Sequence, residues 1–294
     1  MKESEKTAAM PTDVSRPWIM DAHLDLAMNA LEWNRDLRQS VPDIRHREKG
    51  MKDKLDREKG VVSLPALRQG RIGVVVATQI ARVVEEGSSL PGWHSPHQAR
   101  AQTEGQLAWY RAMEWEGEMV QLKDFKSFRD HVRLWEDSDI PDEKKPIGYI
   151  LSLEGADSLI TPEFLERSYA EGLRALGPAH YGKGRYADGT GMSGPLHKEG
   201  IELLKRMDNL GMILDVTHLT DESFDQALEM YQGSVWASHH NCRSLTSGQR
   251  QLTDEQIHRL IERGAVIGAS LDVWMLTDGW ERVDVKFSVY HVVI

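Results

Sequence analysis

A single cysteine, Cys242, in 294 residues leaves no partner for an intrachain disulfide and too few thiols for a cysteine-rich zinc module. No apolar run approaches the roughly 18 residues of a membrane span. The opening MKESEKTAAMPTDVSRPW also lacks the apolar stretch that a signal peptide needs. Basic residues are in deficit, with 36 Lys and Arg against 46 Asp and Glu and a formal charge of −10. That balance argues against a nucleic-acid or anionic-membrane partner, both of which favour a basic face. There is no internal repeat and no low-complexity tract. These absences leave a soluble chain, expected in the cytoplasm. With 40% hydrophobic and 28% charged residues the composition is that of an ordinary globular protein, and a chain of this length buries a large core without staples. Residues 1–16 read as a loose arm, 17–282 as one folded unit and 283–294 as an unassigned apolar tail.

What is present is a rhythm. Ile201, Leu204, Met207 and Leu210 recur at helical spacing before Gly211, and 212–216 is then a short apolar run of strand length. Thr220 with Asp221 and Glu222 opens the next helix, which stops at Gly233 before a strand at 234–238. Thr253 and Gln256 form a capping-box pattern for a helix ending at Gly264, followed by a strand at 265–271. The first half adds strands at 18–20, 72–80, 147–153 and 173–178, with a long helical segment over 99–120. The charge-dense stretches 45–59 and 136–145 read as solvated connections. Strands alternating with helices predict a parallel sheet with helical crossovers, as an open doubly wound sheet or a (β/α)8 TIM-barrel-like fold with seven βα units recognisable. The first strand is not followed by Gly-x-Gly-x-x-Gly, so the dinucleotide-binding version has no support.

The strands end in chemistry. His-x-acid pairs are uninformative in themselves, since composition alone gives about two and the chain holds three: His23/Asp25, His46/Glu48 and His197/Glu199. Position separates the first, because residues i and i+2 of a strand share a face, so His23 and Asp25 project together from a strand's end. The third strand stops at Glu154, the fifth runs into Asp215-Val216-Thr217-His218, and the sixth into Ser238-His239-His240. In a barrel, such ends converge on one mouth, where active sites are built. Imidazoles and carboxylates gathered there suit one divalent metal, or two if a carboxylate bridges them.

These residues resemble the membrane dipeptidase (renal dipeptidase) family of metallopeptidases, within the amidohydrolase-like barrels. The likeness is carried by Asp21-Ala22-His23-Leu24-Asp25, by Leu153-Glu154-Gly155-Ala156, and by Arg174-Ala175-Leu176 through His180 to Ala187-Asp188-Gly189. It continues through Gly211-Met212-Ile213-Leu214-Asp215-Val216-Thr217-His218 and Ala237-Ser238-His239-His240-Asn241. It covers roughly residues 17 to 282 and is strongest from Glu171 to Trp274. The resemblance implies His23 and Asp25 as ligands of a first metal, Glu154 as a carboxylate bridging two, and His218 and His239 as ligands of the second. It implies His180 beside the substrate carbonyl, steadying the oxyanion, and Arg250 as the group that takes the substrate's terminal carboxylate.

The implied activity is metal-dependent hydrolysis of a dipeptide amide, with two divalent ions, zinc first, as cofactors. The expected partner is the small dipeptide itself, with no nucleic acid or membrane; any assembly is expected to be a homodimer. One family motif, an Asp-x-Asp-Gly ending the eighth strand and carrying the proton shuttle, has no match here. Asp278-Gly279 follows the seventh strand too closely for a crossover helix. The expectation is therefore a truncated barrel, with Val285 to Ile294 as a makeshift eighth strand the alternative. Two further readings stay open: a metal-binding barrel of little or no activity, and a hydrolase of another amide or of a lactone.

Overall fold

The computed structural model describes residues 17–54 and 56–279. The N-terminal arm and the 283–294 tail, with the makeshift strand assigned to it, lie outside the described residues. In chain order the elements are β1 (Ile19–Leu24), α1 (Leu26–Glu32), α2 (Val41–Arg47), α3 (Leu64–Gln69), β2 (Ile72–Ile80), α4 (Pro96–Trp115), β3 (Met119–Gln121), α5 (Phe125–Glu136) and β4 (Ile147–Glu154). The second half continues with α6 (Phe164–Ala170), β5 (Ala175–Gly177), α7 (Lys198–Asn209), β6 (Ile213–Asp215), α8 (Asp221–Met230), β7 (Val235–His240), α9 (Asp254–Glu262), β8 (Val266–Ala269) and α10 (Val273–Leu276).

Seven strands pair in parallel in the order β1-β2-β4-β5-β6-β7-β8. β2 reads Ile-Gly-Val-Val-Val-Ala-Thr-Gln-Ile and is buried along nearly its whole length, as a strand covered on both faces requires. The helices between strands are one-sided: α7 buries Leu203, Leu204 and Met207, and α8 buries Phe224, Ala227 and Leu228. Side-chain caps fix where they start. Thr220 accepts from the Ser223 amide at 3.0 Å, and Thr253 with Gln256 forms a complete capping box. Most of the core lies between the strands and this helical layer, with a smaller cluster of Val76, Ala175 and Trp236 inside the ring.

The sheet curls until its first and last strands meet. A Cβ on Gly268 of β8 would fall 2.8 Å from the Ala22 Cβ of β1, yet these two strands share no ladder. The fold is thus a nearly closed (β/α)8-like barrel with one unsealed seam, and the open doubly wound alternative is excluded. A second cavity of about 870 Å³ lies inside the ring, between Met20, Ile150, Trp236 and Gly268.

Two local expectations are corrected. The helix predicted over 99–120 ends at Trp115, because Gly117 turns into the left-handed region at φ +74°. The residues beyond it form β3, which pairs with the start of β4 through Met119 and Ile147. The two charged stretches are not merely solvated. Glu48 and Lys145 are 3% and 2% exposed. Glu48 accepts from Arg35 Nε at 2.7 Å and Arg57 Nη1 at 2.9 Å. Lys145 donates to the Trp135 carbonyl at 3.0 Å and to Asp142 at 2.9 Å. Among the described residues no helix is long and apolar enough to cross a membrane.

Candidate active site

The C-terminal ends of β1, β4, β6 and β7 bring His23, Asp25, Glu154, His218 and His239 together, and the loop after β5 adds His180. Glu154 sits at the centre. Its Oε1 lies 3.0 Å from His218 Nε2 and 3.4 Å from His239 Nε2. Its Oε2 lies 3.5 Å from His23 Nε2 and 3.7 Å from His180 Nε2. Asp25 Oδ2 is 3.6 Å from His23 Nε2. One buried carboxylate therefore faces His218 and His239 with one oxygen, and His23 with the other.

Local backbone accounts for this convergence. His23 and Asp25 alternate off the end of β1, and the Asp21 carboxylate accepts from the His23 amide at 3.0 Å. Gly155, at φ +73°, turns the chain sharply after Glu154, where a Cβ would sit 3.3 Å from the His180 Cβ. His218 is itself left-handed at φ +70°, a strained state for a residue with a Cβ and one found mostly at functional sites. Asp215 steadies the ends of β6 and β7 by accepting from the amides of Thr217 at 3.0 Å and Ser238 at 3.2 Å. Hydroxyl partners engage the outer ring nitrogens: Thr190 Oγ1 is 2.9 Å from His218 Nδ1, and Ser238 Oγ is 2.8 Å from His239 Nδ1. Nδ1–H donated to those oxygens leaves each Nε2 lone pair directed at Glu154, the arrangement that metal-ligating imidazoles use.

The electrostatics follow from burial. It pushes the His218 and His239 imidazoles well below the ordinary range, with Arg250 and His23 adding to the effect. It also works against a charge on His23, but the Glu154 and Asp25 carboxylates outweigh it and raise that ring to about 10. Burial likewise disfavours the Glu154 anion, yet the surrounding cations, His23 foremost, hold its carboxyl below the ordinary value.

These residues fit a metal. Glu154 Oε1 and Asp25 Oδ1 are buried with no hydrogen-bond partner, an arrangement that costs free energy unless a cation meets them. The donor atoms of His23, Glu154 and His239 lie within 4.8 Å of one another, as do those of Glu154, His180 and His218. The two groups share Glu154. A carboxylate with imidazoles is a donor set for zinc, manganese, iron or cobalt.

The site opens into a cavity of about 500 Å³ walled by Trp33, Trp93, Tyr181 and Trp274. Arg250 reaches it from the loop after β7. It is 4% exposed, and its Nη1 has no partner. Its neighbours hold it in place: Gln249 donates to the Met192 carbonyl at 2.5 Å and Gln251 to the Met275 carbonyl at 2.8 Å. His240, the second histidine of its pair, is buried and does not line the cavity. Asp278 is occupied in accepting from Ser247 at 2.8 Å.

Sequence reasoning missed the cavity's aromatic walls, its carboxylates Glu32 and Asp272, and Arg82. Arg82 follows β2 as Ile80-Ala81-Arg82, and its Nη2 donates to His180 Nδ1. The available signal was the one that found the others, a charged group where an apolar strand stops.

Comparison with known proteins identifies the family and the fold. A family model described as membrane dipeptidase (peptidase family M19) matches residues 14–291. A dipeptidase from Clonostachys rogersoniana, verJ, is 31% identical over 127 residues, 40% of this chain and 33% of that protein. An uncharacterised protein in the PQQ-III 3′ region of Acinetobacter calcoaceticus is 30% identical over 156 residues, half of each chain. The alignments thus span half or less of these curated relatives' length. Among solved structures, the metallopeptidase dipeptidase AC superposes with a TM-score of 0.66 at 20% identity, covering 88% of this chain and 74% of that one. A metallopeptidase from Rhodobacter sphaeroides, bound to a phosphinate mimic of L-Ala-D-Ala, gives 0.63 at 19% identity over 86% and 73%. At that identity these structures speak for the fold.

Proposed function

The chain belongs to the membrane dipeptidase family, and from that premise we propose that it is a metal-dependent dipeptidase acting on small dipeptides with a free carboxylate. The observation that carries the proposal is the placement of Glu154, with each oxygen turned to a different imidazole group at the floor of a cavity that also holds Arg250, whose buried Nη1 has no partner. His23, Asp25 and Glu154 would hold one divalent ion, and Glu154, His218 and His239 a second, with zinc the first candidate. Bound there, such ions supply Lewis acidity and a water made nucleophilic at neutral pH.

The chain's own residues do the rest. Arg250 pairs its fork with the substrate carboxylate and so sets the scissile carbonyl over Glu154. His180 turns Nε2 to the same point and donates to the oxygen on which negative charge develops. The aromatic walls exclude water and accept the substrate's side chains. The leaving amine still needs a proton. Among the described residues, Glu32 and Asp272 are the cavity carboxylates outside the imidazole cluster.

The test is metal content by mass spectrometry on the purified chain, alongside dipeptide hydrolysis. Bound divalent metal, about two ions per chain for a paired site, with turnover abolished by a chelator supports the proposal. Metal without turnover leaves a metal-binding barrel that is not a dipeptidase. Unchanged metal content and activity in His239→Ala would overturn the ligand assignment.

A further inference from the structure

We propose that Arg82 is a positioning residue that fixes the tautomer of His180. It thereby makes that ring a hydrogen-bond donor to substrate and bars it from ligating metal. The inference rests on the metallodipeptidase reading for its purpose, and on hydrogen-bond chemistry for its content.

The donor order is forced. A guanidinium carries only N–H groups and does not lose its proton in a protein. Since Arg82 Nη2 meets His180 Nδ1, that nitrogen must be the acceptor. A neutral imidazole with its Nδ1 lone pair engaged carries its hydrogen on Nε2. An imidazolium, with hydrogens on both nitrogens, cannot take this bond at all. Nε2 is the atom that faces Glu154 Oε2 at 3.7 Å. The hydrogen therefore points into the reaction site.

This decides between two fates for the ring. By distance alone, His180 groups with Glu154 and His218 as a metal-binding set. A ligating Nε2 needs a free lone pair, which would put the hydrogen on Nδ1 and against the Arg82 N–H. Arg82 excludes that state.

Both partners are mounted to keep the contact. Arg82 Nη1 donates to the Pro91 carbonyl at 2.8 Å. Its own carbonyl accepts from the Trp93 amide at 2.9 Å, and the Val84 amide returns to the Trp93 carbonyl at 2.9 Å. The buried Asp157 carboxylate accepts from the Val83 amide at 2.9 Å. The strands of this small loop pass so closely that a Cβ at Gly92 would lie 2.9 Å from the Arg82 carbonyl oxygen. On the other side, the Thr190 amide donates to the His180 carbonyl at 2.9 Å.

The experiment is 15N-histidine NMR on the full-length chain freed of metal, with His180 assigned by its loss in His180→Gln. The expected wild-type signature is a neutral ring with Nε2–H. In Arg82→Met that signature gives way to Nδ1–H or to an averaged pair, while Arg82→Lys, which keeps a cationic donor, retains it. A wild-type ring protonated on Nδ1, or an unchanged tautomer in a folded Arg82→Met, overturns the proposal. The wild-type spectrum alone can refute it, whatever the folding of the variants. On the metal-loaded enzyme, Arg82→Met should lower kcat by about a hundred- to a thousand-fold, the cost of one oxyanion donor, with KM little changed. Failure of the dipeptidase reading appears separately, as absent turnover in a wild type whose His180 still carries Nε2–H.

Discussion

Arg250→Met removes a charge and keeps an apolar stem of similar reach, so it isolates what the guanidinium does. The group is 4% exposed, and its Nη1 finds no partner. Its desolvation is already met in the folded protein, so an incoming carboxylate gains a charge-assisted, bidentate contact at the cost of its own hydration alone. Truncating one partner of such a buried pair costs about 2–5 kcal/mol, or a fall of roughly 30-fold to several thousand-fold in kcat/KM at 1.4 kcal/mol per decade. The assay compares a dipeptide with its C-terminal amide, which lacks the anion, on both enzymes. Wild type should prefer the free dipeptide by about the same factor, and Arg250→Met should lose that preference while changing little on the amide. A variant that slows equally on both substrates, or that keeps the preference, refutes the assignment of Arg250 to the carboxylate.

Metal content tests the shared carboxylate: Glu154→Gln should lose more metal than His218→Ala or His239→Ala, because it faces both imidazole groups, and equal losses would contradict that role. Ser238→Ala removes the hydroxyl beside His239 Nδ1 and should weaken metal affinity by about 10- to 100-fold; unchanged affinity in a metal-buffer titration would show that the hydroxyl does not orient the ring. The Glu48 carboxyl is held down to about 2, since Arg35, the Glu58 amide and Arg57 outweigh the burial that opposes its charge. A depressed carboxyl contributes stability above its unfolded value of 4.5 and loses it as pH falls toward 2, here about 3 kcal/mol. Glu48→Gln should therefore be less stable than wild type in urea at pH 7, by an amount that shrinks between pH 4.5 and 2; a gap independent of pH would refute the linkage.

The seven barrel strands and the side chains that gather around Glu154 were legible in the sequence for one physical reason. A barrel places its chemistry where apolar strands stop, and His23, Glu154, His218 and His239 each stand at such a stop. Arg82 stands at one too, but a single arginine has no distinctive chemistry until its partner is known, and His180 lies 98 residues away. The Glu48 cluster was hidden differently. Arg35 and Arg57 close on Glu48 only in three dimensions, so a buried ionic knot looked like a solvated charge run. β3 is three residues long, too short to declare a period against the helix before it. The roles proposed for His180 and Arg250 rest on the family likeness, since nothing in their local sequence marks them.

The seam between β1 and β8 has a consequence for the order in which the molecule loosens. A closed ring has no first strand to lose; this one, among the described residues, has two. β4 lies inside the sheet, flanked by β2 on one side and by β3 and β5 on the other, and its amides should exchange with solvent only on global unfolding. β8, with Val266 61% exposed, should exchange through local opening. His239 lies on β7, beside that looser edge, while Glu154 ends β4. Glu154 is therefore anchored in a longer-lived part of the barrel than His23, on the edge strand β1, and His239, next to β8, which fluctuation reaches first.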